Sequence, residues 1–166
     1  MIVRKDILDR ADADKLKSLG IPPCPIVFDY LITQQNNSLY NTLPIFSLHI
    51  ADLVFQHLLS QGGISAQQSR NERKASLIYS ILEAAESAGK VRLVVAKGCR
   101  SRMNIPFKFV DEGKDGPFLK EAESRGMMQL KGHRSLGGIR VSLYNAVTVE
   151  QTEKFAKFLK EYLDEI

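Results

Sequence analysis

A long apolar segment follows Pro44 and constrains the fold more than any other part of the sequence. The run IFSLHIADLVFQHLL is apolar on nearly every side of a helix, whereas a surface helix keeps one polar face. Such a helix has to be covered on more than one side, which favours a position between two bodies of a larger fold. Because Gly62 and Gly63 end the run, we expect one buried helix over residues 45–59.

Composition excludes several classes of protein. With 166 residues and 44% hydrophobic content, the chain can build one sizeable core, or one domain and part of another. The net charge is +4, but the 23 basic residues are scattered among 19 acidic ones and form no basic patch. The charge pattern therefore does not favour nucleic-acid binding. Cys24 and Cys99 have no partners at zinc-ligand spacing, and no stretch approaches the roughly 20 apolar residues of a membrane span. We expect a reduced, cytoplasmic protein without metal, membrane or nucleic acid.

Helices and short strands alternate along the rest of the chain. The patterns predict a charged helix over 6–19 ending at Gly20, a helix over 65–87, and a short helix over 115–125 with Asp115 as N-cap and Gly126 as its end. Strands are predicted over 26–33, 91–96 and 103–110, and two more flank Gly132–Gly138. This order indicates an α/β chain of the α+β kind, in which helices cover a small sheet.

Two helices carry apolar stripes. In the helix over 65–87 the predicted stripe is Ala75, Ile78, Tyr79 and Leu82, and the residues placed mostly outside are Arg70, Glu72, Arg73 and Lys74. In the last helix, Thr148 and Gln151 fit a capping box. Its predicted stripe is Phe155, Phe158, Leu159, Tyr162 and Leu163.

The first four residues, Met1-Ile2-Val3-Arg4, read as the end of an apolar strand with nothing before them to begin a fold. A buried strand needs a neighbour on each side. We therefore expect the chain to be a truncated piece of a longer protein.

The segment His133–Arg140 concentrates potential cations around a glycine pair. Arg134 and Arg140 carry the planar fork that matches carboxylate and phosphate oxygens, and His133 adds a third donor. Gly137 and Gly138 allow the chain to turn back closely. An alternative stays open, in which the arginines form surface ion pairs and the glycines form only a hairpin turn. Arg140 alternates with Ile139 and Val141, so it should face away from the apolar row.

A second polar segment, NNSLYNT, precedes the apolar helix. Its amides and hydroxyls, which include Asn41 and Thr42, are natural phosphate contacts near a helix N-terminus. They are equally natural caps and turns. His49 and His57 lie within the helix and have no further ligands at metal spacing, which favours core or rim histidines.

Four segments occur together in the order NNSLYNT, RSRMNIPF, LKGHRSLGGIR and SLYNAVTVE. In this order they resemble the phosphoserine aminotransferase family. The resemblance runs from Ile2 to the final helix and covers about the second half of the family's length. It implies the C-terminal domain of a fold-type I pyridoxal-phosphate enzyme, with residues 1–45 a remnant of the large cofactor-binding domain. Residues 46–166 would then be the interdomain helix and the small domain.

The resemblance also implies an activity, a cofactor and a partner. Enzymes of the family act as homodimers and transfer the amino group of glutamate, through pyridoxal 5'-phosphate, to 3-phosphonooxypyruvate in L-serine biosynthesis. By position, His133 and Arg134 are expected to bind the substrate phosphate and Arg140 the α-carboxylate. Asn41 and Thr42 are expected to reach the cofactor phosphate of the neighbouring subunit.

The chain departs from the family pattern at several positions, and one departure bears on the expected activity. Leu43 and Leu136 replace a common proline and valine, which carry no ligand chemistry. The family's Schiff-base lysine lies upstream of the position that matches Ile2, so no catalytic residue is assigned in this chain. We expect the chain alone to be inactive. An alternative of another class is a non-catalytic domain that binds phosphate and carboxylate.

Overall fold

A three-stranded antiparallel sheet organises the second part of the chain. In the computed structural model, which describes residues 3–8, 13–22 and 24–166, the chain divides into two compact units, Met1–Val54 and Phe55–Ile166. The domain boundary expected near residue 45 stays a prediction. Within the second unit the strands are β1 (Val91–Leu93), β2 (Asn104–Phe109) and β3 (Ile139–Ser142), in the order β1-β2-β3.

The sheet has one covered face and one open face. Burial alternates along β2 and β3, as expected for a strand with one face in the core. The covered side chains are Ile105, Phe107, Phe109, Ile139 and Val141. The strands predicted over 91–96 and 103–110 are therefore confirmed, with shorter bounds.

Three helices bury their apolar stripes in the same core: α5 (Gly63–Ser87), α6 (Asp115–Ser124) and α7 (Val149–Glu165). The predicted capping box of α7 is confirmed, because the Gln151 N–H donates to Thr148 Oγ1 and the Thr148 N–H donates to Gln151 Oε1. All five residues of its predicted stripe are buried. The N-cap predicted at Asp115 is wrong, since Asp115 is the first residue of α6 and Lys114 precedes it without a side-chain cap.

The first unit is helical where a strand was predicted. Its helices are α1 (Lys5–Leu8), α2 (Ala13–Ser18) and α3 (Tyr30–Gln35), and Ile26–Phe28 forms a 3₁₀ turn. The strand predicted over 26–33 is wrong, because Asp29 caps α3 by accepting hydrogen bonds from the N–H groups of Leu31 and Ile32. The predicted strand end at Met1-Ile2, and residues 9–12 of the helix predicted over 6–19, lie outside the described residues.

The apolar run after Pro44 forms α4 (Ile45–Ser60), as predicted. Its expected burial is not found in this chain, because its apolar side chains are exposed, with Phe46 at 77% and Leu59 at 70%. His49 and His57 are exposed as well. The helix therefore presents an open apolar surface.

Lys74 of α5, which was placed outside by its sequence pattern, is 1% exposed. Its Nζ donates to the backbone carbonyls of Leu143, Tyr144 and Val147, at 3.3, 2.9 and 2.8 Å. Burial, reinforced by the charge of Arg70, lowers the pKa of Lys74. Lys74 thus ties the turn that follows β3 to α5.

Candidate anion-binding site

The basic segment forms a tight loop that leads into β3. Lys131 pairs with Ile139 in an isolated antiparallel bridge, and the Arg140 N–H donates to the Leu130 carbonyl at 2.7 Å. Between them the Gly132 N–H donates to the Gly138 carbonyl at 2.8 Å. The predicted return of the chain between two extended segments is confirmed, although the first of these segments is only a single bridge.

The loop closes around its glycines. A Cβ atom on Gly132 would collide with the carbonyl of Gly137. Gly138 has a φ of +68°, and a Cβ there would lie 2.6 Å from the Phe107 carbonyl oxygen. Only glycine fits both constraints, so these residues bring the backbone of the loop against itself and against β2.

His133 presents one ring nitrogen to solvent. Its Nδ1 lies 2.8 Å from Ser135 Oγ and accepts the Ser135 N–H at 3.3 Å. Because a backbone N–H can only donate, the proton of the neutral ring lies on Nε2. His133 is exposed, so its Nε2–H is available to donate to an anion.

The two arginines differ in burial. Arg134 is exposed on the loop, whereas Arg140 is half-buried on β3. Arg140 points away from the covered row, as its alternation with Ile139 and Val141 predicted. Its Nε is buried and has no hydrogen-bond partner among the described residues. A buried guanidinium nitrogen without an acceptor is costly, and a bound carboxylate would satisfy it.

A pocket of about 440 Å³ adjoins Arg140. Besides Arg140, four neutral polar residues line it: Gln129, Ser142, Gln151 and Thr152. The remaining lining residues are apolar: Met127, Met128, Leu130, Val141, Leu143, Tyr144, Val147 and Phe155. Gln129 has a φ of +63°, which is uncommon for a residue other than glycine. A pocket lined by apolar and neutral polar residues, with Arg140 as its one charged lining residue, suits a small organic anion better than an inorganic ion.

Asn41 and Thr42 belong to the first unit. A turn in which Asn37 and Ser38 have positive φ ends α3, and the Ser38 N–H returns to the Thr33 carbonyl at 2.8 Å. Asn41 and Thr42 then lie exposed ahead of α4. Their side chains are accessible to a ligand, and their phosphate-binding role stays a prediction.

The sequence alone did not predict one cation near the loop, Lys108. Lys108 lies on the open face of β2, where the register Pro106↔Arg140 places it one diagonal step from Arg140. Because Lys108 alternates with Ile105, Phe107 and Phe109 along β2, the sequence pattern does indicate that its side chain lies on the open face. The pairing of β2 with β3, which brings Lys108 to the loop, is not visible in the local pattern.

Comparisons with known proteins show which family the chain belongs to. The family model described as aminotransferase class-V matches residues 1–155. The chain belongs to this family. It is 46% identical to the phosphoserine aminotransferase of Saccharomyces cerevisiae, across 98% of this chain and 42% of that protein. It is 42% identical to the phosphoserine aminotransferase of Paraburkholderia phytofirmans, across 98% of this chain and 42% of that protein.

Solved class-V structures share the fold. The phosphoserine aminotransferase from Bacillus circulans subsp. alkalophilus has a TM-score of 0.77 at 37% identity, over 86% of this chain and 39% of that one. The PLP-bound phosphoserine aminotransferase from Trichomonas vaginalis has a TM-score of 0.71 at 35% identity, over 82% and 39%. The α/β fold class expected from the sequence is confirmed. The chain spans about 42% of the length of the curated relatives it matches.

No helix within the described residues is long and apolar enough to cross a lipid bilayer.

Proposed function

We propose that this chain supplies the substrate-recognition part of a cytoplasmic phosphoserine aminotransferase. The reaction would transfer the amino group of L-glutamate to 3-phosphonooxypyruvate, giving O-phospho-L-serine and 2-oxoglutarate in L-serine biosynthesis. One observation carries the proposal: the unpartnered Nε of Arg140 lies beside a basic loop, in a chain 46% identical to a phosphoserine aminotransferase. Both substrates of that reaction are anions with a charge at each end.

Each cation of the site would hold one charged end of the substrate. Arg140 would pair with the α-carboxylate through its planar fork, because its Nε needs an acceptor. The Nε2–H of His133 and the guanidinium of Arg134 would hold the phosphate at the exposed end of the loop. The closed backbone around Gly132 would restrict the loop before substrate arrives, which would lower the entropic cost of binding.

The cofactor would be pyridoxal 5'-phosphate, which, when bound, carries the amino group between the two substrates. Asn41 and Thr42 would donate to its phosphate across the interface of a homodimer. Their exposure ahead of α4 fits this contact, since hydroxyl and amide donors beside a helix N-terminus suit a phosphate.

The amine that holds the cofactor would come from outside these residues. All lysines of the chain lie in the described ranges, and none of them lines the pocket beside Arg140. The buried lysine, Lys74, is engaged with three carbonyls. We therefore expect the 166-residue chain alone to show no aminotransferase activity. Borohydride reduction after mixing with pyridoxal phosphate should leave no cofactor mass on a specific lysine.

A segment exchange tests the proposed activity. This chain would replace the matching 42% of the Saccharomyces cerevisiae enzyme, and amino transfer between phosphoserine and 2-oxoglutarate would be measured. We expect an active chimera. In it, Arg140→Leu should lower kcat/KM for phosphoserine by about 100-fold or more, since a charge-assisted bidentate pair is lost.

The matched control is Arg73→Gln, which removes an exposed arginine whose partner is Glu153 on α7. It should leave kcat/KM within about twofold of the unmodified chimera. A folded, dimeric chimera without activity, or one insensitive to Arg140→Leu, contradicts the proposed function.

A further inference from the structure

Two cations face each other on the open side of the sheet. The register of β1 and β2 pairs Arg92 directly with Lys108. Both side chains project from the face opposite the buried Phe107 and Phe109, since their neighbours alternate with them. Directly opposed residues on a sheet have Cβ atoms about 5 Å apart, so the two cationic side chains start from neighbouring positions.

Neither side chain of this pair forms an ion pair within the residues that the structure describes. Their side chains form no hydrogen bond there either, although the two backbones pair in the sheet. The charge of Lys108 acts on the Asp115 carboxyl group, whose pKa is raised overall by burial and then by the charge of Glu112, but the two side chains form no ion pair. Like charges directly opposed on a sheet are destabilising, so this pair is better accommodated when an anion lies between its members.

The pair adjoins the loop of the candidate site. Along the register of β2 and β3, the position after Phe107↔Ile139 sets Lys108 opposite Gly138. The stem of Lys108 crosses that glycine so closely that a Cβ on Gly138 would lie 2.8 Å from Lys108 Cγ. Arg140 faces Pro106, one diagonal step from Lys108, and diagonal neighbours are about 7–8 Å apart. Arg92, Lys108 and Arg140 thus share one open sheet face.

We propose that Arg92 and Lys108 form an accessory capture site for phosphate monoesters, which holds the phosphorylated substrate beside the loop before it reaches Arg140. A phosphate monoester carries up to two negative charges near neutral pH, which matches two adjacent cations better than a single carboxylate does. Capture on this face raises the local substrate concentration and the association rate. The choice of ligand rests on the proposed function, and the site itself rests on the register and the missing counter-charge.

The test measures binding to the 166-residue chain by NMR titration with O-phospho-L-serine, inorganic phosphate and L-serine. Lys108→Gln keeps an aliphatic stem over Gly138 and removes the positive charge. Arg92→Gln removes the positive charge of the opposite residue on β1. Each should raise the Kd for phosphoserine and for phosphate about fivefold and flatten its dependence on salt, while L-serine is unaffected. The matched control is Lys120→Gln, an exposed lysine on α6, a helix packed through Phe118 on the covered face. It should leave every Kd unchanged.

The outcomes separate this inference from the proposed function. If Arg140→Leu weakens phosphoserine binding but Lys108→Gln and Arg92→Gln do not, the capture site is wrong and the proposed function stands. If phosphate binds in a Lys108-dependent way while the chimera described above is inactive, the capture site stands without the proposed function. Absence of phosphate binding, or equal weakening by Lys120→Gln, overturns the capture site.

Discussion

The two units of the chain differ in how far their apolar residues are buried. Residues 55–166 bury a large cluster of them: Phe118 is fully buried, with its ring 5.4 Å from Phe109, 5.2 Å from Phe158 and 5.1 Å from Tyr162. In residues 1–54, Leu8 is the one buried apolar residue among those described, and Phe46 is 77% exposed. A core that closes on itself stabilises a unit, whereas exposed apolar surface contributes nothing until another surface covers it. The second unit should therefore carry the measurable stability of this chain.

The test with the largest expected effect removes one aromatic ring from each unit. Phe118→Ala should lower the free energy of unfolding by about 4 kcal/mol, because it leaves a cavity among packed rings. Phe46→Ala should change it by no more than about 0.5 kcal/mol, because its ring is already exposed. Urea denaturation followed by far-UV circular dichroism gives both values. Equal losses would mean that residues 1–54 share the cooperative core.

A lysine in each unit gives a second comparison. Lys74→Met leaves three carbonyls without their charged donor and should cost about 3 kcal/mol. Lys17→Met, at an exposed position of α2, should be nearly neutral. Thermal unfolding of both variants separates the effect of burial from the loss of one charge. A Lys74→Met protein as stable as the parent would show that the turn after β3 needs no such tie.

One helix-end motif occurs in both units and offers a smaller, closely matched test. Gly20 ends α2 with a φ of +70° and Gly89 follows α5 with a φ of +73°, and in both cases a Cβ would meet no other atom within 4 Å. Alanine at either site costs about 1 kcal/mol of local strain. Gly89→Ala should lower the melting temperature of the main transition, and Gly20→Ala should leave it in place. A similar shift in both variants would join the two units into one cooperative transition.

The smallest expected effect is a dependence on pH in the second unit. Hydrogen bonds from Arg100, and then from Lys97, lower the pKa of the Glu83 carboxyl group below its ordinary value of 4.5. A lowered pKa in the folded state gives stability that is present above 4.5 and is lost as the pH falls through the lowered value. Glu83→Gln should therefore flatten the stability profile at acidic pH. If the parent and the variant lose stability in parallel between neutral and acidic pH, the Glu83 contacts contribute nothing.

Local patterns predicted the parts of the fold that depend on neighbouring residues. The capping box at Thr148 and the alternation around Arg140 both follow from side chains within a few positions, and both are confirmed. The strand predicted over 26–33 is wrong because the N-cap of Asp29 outweighs the strand preference of the β-branched residues around it. In that segment a local hydrogen bond decides the conformation.

Long-range contacts explain the rest. The burial of Lys74 depends on carbonyls about 70 positions later in the chain, and the nearness of Lys108 to the loop depends on the pairing of β2 with β3. Neither contact leaves a trace in the surrounding sequence. The sequence thus predicted the cations of the loop and Arg140 on β3, and it did not predict Arg92 and Lys108, which only strand pairing brings near them.

The burial of Lys74 also has a consequence for chemical labelling. Every other lysine of the chain is at least partly exposed and can react with an amine-directed reagent such as an anhydride. Lys74 Nζ can react only when the turn carrying Leu143 and Val147 separates from α5. The rate at which Lys74 is acylated, followed by mass spectrometry, therefore measures how often the turn after β3 opens. This turn lies next to β3, the strand that follows the anion-binding loop.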